Sequence, residues 1–105
     1  MSERFDKIKE LLKQSPHDCF LLHALGLEYR KMAQDELALE AFRQVLESDA
    51  NYLGTYYHLA KTYEALKLPN QAIQVYQKGI EIAIAAKDLH ARNELQMALD
   101  EISDE

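Results

Sequence analysis

Cys19 and His23 stand four residues apart, the spacing that puts a thiol and an imidazole on one face of a helix. Such a pair near a helix N-terminus can form a nucleophile: the imidazole takes the proton and the helix end favours the thiolate. The sequence offers no third group to orient the imidazole and indicates no oxyanion donor. His17, His23, His58 and His90, together with Cys19, raise the question of a metal site. No two histidines show an H-E-x-x-H spacing, and a lone cysteine cannot build a thiolate cluster. Gly26, Gly54 and Gly79 are isolated, so no glycine-rich loop is available to cradle a phosphate. The carboxylates are spread over what read as solvated helix faces, which gives little support to a paired acid and base. The reactive residue types are present without the constellations that catalysis, metal binding or a cofactor requires. The expectation is a protein that is not an enzyme.

The chain has 105 residues, enough for one domain of typical size. Its net charge is −6 and no block of Lys and Arg accumulates, which argues against nucleic acid or an anionic membrane as partner. A single cysteine rules out an intrachain disulfide and suits a reducing compartment. The start, Met1-Ser2-Glu3-Arg4-Phe5-Asp6, lacks the apolar stretch of a signal peptide. The run from Ile80 to Ala86 is interrupted by Glu81 and is too short to span a bilayer. The expectation is a soluble cytoplasmic protein, and the native-looking start and polar ends fit a complete chain.

The elements that position these residues all read as helices. Two prolines and three glycines punctuate the chain, and strand-like alternation is absent. A first helix runs from about Ser2 to Gln14, with Phe5, Ile8 and Leu12 on one stripe. Ser15-Pro16 stops it and opens the next, with Ser15 as cap and Asp18 completing a capping-box spacing. The second helix extends to about Lys31. Asp35 is the expected cap of a third helix ending near Glu47, and Asp49 that of a fourth ending near Leu66. The fifth starts near Asn70, after Lys67-Leu68-Pro69, and should be longer than its counterpart because no breaker precedes Lys87. Asp88 caps a last helix whose stripe is Ala91, Leu95, Ala98, Leu99 and Ile102, while Ser103-Asp104-Glu105 should fray.

A fixed period ties these helices together. Leu22, Leu25, Gly26, Tyr29, Ala38 and Phe42 recur 34 residues later as Tyr56, Leu59, Ala60, Tyr63, Ala72 and Tyr76. The first helix is in register, since Ile8 precedes Phe42 and Leu12 precedes Leu46 by the same interval. In the last helix His90, Asn93 and Glu94 replace Tyr56, Leu59 and Ala60, the polar substitution a terminal cap requires. The pattern resembles the tetratricopeptide repeat. That resemblance implies an all-α, right-handed α-solenoid of antiparallel helix pairs, here with six helices in one domain over residues 1–105. Its parts would be a leading half-repeat over 1–15, full repeats over 16–49 and 50–87, and a capping helix over 88–103. It also implies a concave face, lined by the first helix of each pair, that takes extended peptides or helices.

On the second helix the stripe beside the inward residues is Phe20, His23, Leu27 and Arg30. Its counterpart is Gly54, Tyr57, Lys61 and Glu64, with His58 beside Tyr57, and the last helix adds Asp88 and Arg92. The candidate peptide-binding groove is therefore Phe20, His23, Leu27, Arg30, Tyr57, His58, Lys61 and Arg92. Phe20 and Tyr57 would be apolar anchors and Lys61 and Arg92 charge partners, a mixture suited to a hydrophobic peptide carrying some negative charge. A branch of the family grips chaperone C-termini with a lysine–asparagine–lysine/arginine clamp. The repeat register places that clamp on His23, Leu27, His58, Asp88 and Arg92, where Leu27 cannot donate and Asp88 repels a carboxylate. Chaperone-tail binding is not expected. The expected function is an adaptor for an unidentified protein or peptide; the alternative is a self-associating subunit, a homodimer through the groove or an end helix.

Overall fold

Helices account for all regular structure in the computed structural model, which describes residues 2–103. Their order is α1 (Glu3–Gln14), α2 (Cys19–Lys31), α3 (Asp35–Ser48), α4 (Gly54–Ala65), α5 (Pro69–Ala85) and α6 (Leu89–Ser103). The chain divides into two compact units, Met1–Tyr52 with α1 to α3 and Leu53–Glu105 with α4 to α6. In the first unit α2 packs on both α1 and α3; in the second α5 packs on both α4 and α6.

The first unit is closed by apolar side chains that recur at helical spacing. Phe5 and Ile8 of α1 are buried with Ala24, Leu25 and Ala41, and Leu12, Tyr29 and Met32 pack half-buried against them. Phe42 is fully buried, and burying a side chain of that size contributes about 2–3 kcal/mol. Gly26 explains how α2 and α3 come so close. A methyl there would overlap the Phe42 ring, whose Cδ1 and Cζ lie 2.7 Å from its position. The start of α1 is tied to α2 by polar contacts. The Ser2 hydroxyl accepts from the Phe5 amide at 3.0 Å and donates to the buried Glu28 carboxylate at 3.2 Å. Arg4 Nε and Lys31 Nζ reach the same carboxylate at 3.2 and 3.1 Å.

In the second unit Tyr56, Leu59 and Ala60 of α4 are buried, as are Ala72, Tyr76, Gly79 and Ala83 of α5 and Leu95 and Ala98 of α6. Gly79 is the close-approach point: a methyl there would stand 2.7 Å from Tyr56 Cβ and 3.0 Å from Leu95 Cδ1. The two six-residue signatures are thus core positions, with Tyr29 and Tyr63 half-buried and the other ten buried.

The helix starts correct several expectations. Asp18 caps α2, accepting from the Leu21 amide at 3.0 Å, while Ser15 closes α1 and Pro16 lies in the turn before α2. Asp35 is already the first helical residue of α3, behind Gln34, whose side chain makes no cap bond. Asp49 closes α3 instead of capping α4, and its carboxylate turns back on the Asn51 amide at 2.9 Å. Asp88 caps α6 as expected, accepting from the Ala91 amide at 3.0 Å. The fifth helix is indeed the longest, at 17 residues against 14 for α3. Ser103 is the last residue of α6; the expected fraying of Asp104 and Glu105 lies outside the described residues.

Helices α2, α4 and α5 end alike. Ala33, Lys67 and Lys87 sit at φ 58°, 64° and 57°, in the left-handed region where glycine is usual. The amide after each closes back to a carbonyl five residues earlier: Gln34 to Tyr29, Leu68 to Tyr63 and Asp88 to Ala83, each at 2.9 Å.

Candidate functional site

Cys19 and His23 share α2 and both meet α3. The Cys19 thiol donates to the Val45 carbonyl at 3.7 Å, and the His23 ring packs against those of Phe42 and Tyr52, 5.6 and 5.9 Å from their centroids. Burial, followed by the Asp49 and Asp18 carboxylates, pushes the thiol pKa up, where a helix N-terminus alone would lower it. Among the described residues no group of His, Cys, Asp and Glu is gathered as a metal ion would need.

The expected groove residues fall into separate groups. On the first unit, Phe20 is 67 % exposed, while His23, Leu27 and Arg30 are half-buried. Arg30 Nη1 is paired with Asp35 at 2.9 Å, so its charge is already matched. On the second unit Tyr57, His58 and Lys61 are half-buried and close together. The His58 ring meets Tyr57 edge-on, 5.4 Å between centroids. Lys61 Nζ lies 5.6 Å from the Tyr57 centroid, a cation–π contact, and 3.6 Å from Glu64. Glu64 in turn accepts from the Tyr76 hydroxyl at 2.5 Å. Burial first, then that hydrogen bond, pushes the phenol pKa far above the usual tyrosine range.

A cleft of about 360 Å³ opens between α4 and α6, lined by Tyr57, Lys61, His90, Asn93, Glu94, Met97, Ala98 and Glu101. It contains two expected residues, Tyr57 and Lys61. On the α6 wall the sequence assigns Ala98 to the apolar stripe and His90, Asn93 and Glu94 to a polar cap; the signal for a binding wall is Met97, an apolar residue four after Asn93, 66 % exposed. Arg92 lies outside this cleft. It shares a second depression, of about 380 Å³, with Ala83, Ile84, Lys87, Asp88 and Leu89 at the α5–α6 turn, and donates to Asn93 Oδ1 at 3.1 Å. Ile84 and Leu89 are 59 % and 67 % exposed there.

The helix pairs with their small and aromatic contacts are what the family profile of the tetratricopeptide repeat describes, and it matches residues 21–52 and 53–83, more than half of the chain. The chain belongs to the tetratricopeptide-repeat family. Its all-α fold of repeated helix pairs is shared with solved members of that family. One is a tetratricopeptide repeat domain protein from Salinibacter ruber, 38 % identical, with a TM-score of 0.78 over 83 % of this chain and 97 % of that one. The chain is also similar in structure to protein BPP2914 from Bordetella parapertussis, 25 % identical, with a TM-score of 0.86 over 99 % of this chain and 90 % of that one. A further relative is the uncharacterized protein ycf37 of Porphyra purpurea, 32 % identical over 83 residues, or 75 % of this chain. The aligned part is 48 % of that relative, so the chain spans about half of its length. Tetratricopeptide repeats generally mediate protein–protein interaction and are typically non-catalytic. Among the described residues no helix is long and apolar enough to cross a membrane.

Proposed function

We propose that this protein is a non-catalytic adaptor that holds an extended peptide segment of a partner protein, in a cytoplasmic setting consistent with its single thiol. The observation that carries this reading is the α4–α6 cleft. Tyr57, Met97 and Ala98 give it an apolar, aromatic wall, and the Asn93 amide supplies a donor for a peptide carbonyl. His58 and Lys61 both pack against the Tyr57 ring, which orders the anchor before a ligand arrives. On the first unit Phe20, His23, Leu27 and Arg30 form a further contact stripe, with Phe20 the exposed anchor.

Selection from a random-peptide display library tests the proposal. Wild type should recover peptides that a Tyr57→Ala, Lys61→Glu variant loses, with helix content by circular dichroism unchanged. Peptides retained by that variant refute the assignment of this cleft. A second reading, self-association, is favoured by one observation: the exposed Ile84 and Leu89 beside Arg92 at the α5–α6 turn. Sedimentation at micromolar concentration decides it, because a strict monomer removes the homodimer.

A further inference from the structure

We infer that the occupant of the α4–α6 cleft is a peptide segment carrying a basic side chain, an inference that rests on the cleft being a peptide site. The sequence alone points the other way, since Lys61 and Arg92 read as cations awaiting an acidic ligand. The structure accounts for both. Lys61 is matched by Glu64 at 3.6 Å and lies over the Tyr57 ring. Arg92 lines the depression with Ile84 and Leu89 instead of this cleft.

Besides His90, what remains charged in the cleft is negative. Glu94 and Glu101 line the α6 wall, both exposed, and among the described residues neither is ion-paired. The sequence around them adds Asp100, Asp104 and Glu105 to the same acidic stretch. Tyr57 on α4 and Met97 and Ala98 on α6 line the same cleft as these carboxylates. Apolar and anionic side chains lining one cleft match a lysine or arginine side chain. Its methylene stem lies along Tyr57 and Met97 while its charged head reaches Glu94 and Glu101. An acidic peptide would bring a like charge to an unpaired carboxylate pair, and it would have to break the Lys61–Glu64 contact to find a cation.

Peptides recovered from the random library in a Tyr57-dependent manner are synthesised and titrated by fluorescence anisotropy. Binding is measured to wild type and to a Glu94→Gln, Glu101→Gln variant, at low and raised salt. Both residues are exposed, so the double change leaves the core intact. The expected result is enrichment of Lys and Arg, affinity weaker by about three- to tenfold in the double variant, and loss of that difference as salt rises. Tyr57-dependent peptides enriched in Asp and Glu, or bound equally by the double variant, overturn the basic occupant and leave the peptide site standing. Absence of any Tyr57-dependent peptide overturns both.

Discussion

Replacing Gly79 by alanine sets two effects of opposite sign against each other. An alanine is about 1 kcal/mol better than glycine inside a helix, so by propensity alone the change would stabilise α5. The structure decides otherwise. The new methyl would stand 2.7 Å from Tyr56 Cβ, 3.0 Å from Leu95 Cδ1 and 3.1 Å from Tyr56 Cγ, where carbon atoms prefer about 3.5–4.0 Å. A rotamer change cannot move Tyr56 Cβ, which is fixed to the α4 backbone, and Leu95 is only 2 % exposed with nowhere to retreat. Two helices must therefore shift. Overpacking of this kind costs about 1–3 kcal/mol, and the backbone-fixed contact puts Gly79 at the upper end. Subtracting the propensity gain leaves a loss of about 2 kcal/mol. With a urea m-value of about 1.5 kcal/mol/M, the midpoint falls by about 1.3 M. Gly54 is the internal control: nothing lies within 4 Å of an added methyl at the start of α4, so Gly54→Ala should raise stability by about 0.4–1 kcal/mol. Urea titrations followed at 222 nm on both variants measure the difference. A Gly79→Ala midpoint equal to or above wild type, at unchanged slope, would refute the close-packing argument.

Four further outcomes are expected. Ala33→Gly and Lys67→Gly should each stabilise by about 1 kcal/mol in the same titration, because both residues hold a left-handed φ that costs a side chain energy. Tyr76→Phe should cost about 1.5–3 kcal/mol through loss of the hydroxyl bond to the Glu64 carboxylate, and the raised phenol should keep Tyr76 silent in an alkaline ultraviolet titration of the six tyrosines up to pH 11. Glu28 has a folded pKa lowered chiefly by its hydrogen bond with Lys31, so its stabilisation is present above the unfolded carboxylate pKa and lost as pH falls through the lower folded value. The gap between wild type and Glu28→Gln in urea should accordingly be constant near neutrality and shrink in acid; a gap that widens in acid contradicts the assignment. The Cys19 thiol, raised and bonded to Val45, should react with a thiol reagent at neutral pH several-fold more slowly folded than in urea, a comparison made by absorbance.

The repeat was legible because its physics is local and periodic. Gly26, Ala38, Ala60 and Ala72 can be small for few reasons other than helix contact, and aromatic residues four after the second small residue of each repeat, at Phe42 and Tyr76, fill what the small residues leave. Which of two candidate residues caps a helix was not legible. Ser15 and Asp18 both have the chemistry, and only the backbone dihedrals select Asp18. The turns at Ala33, Lys67 and Lys87 carried no glycine to announce them, so their left-handed conformation appeared only with the coordinates. Charge was the least legible property. Composition counts Lys61, Arg30 and Arg92 as cations available to a ligand, whereas the folded chain pairs Lys61 with Glu64 and Arg30 with Asp35 and turns Arg92 toward a different depression. Periodicity determines which side chains enter the core, because burial repeats with the helix. Tertiary structure decides which charges are left over, because an ion pair depends on distances of a few ångströms that no spacing rule records.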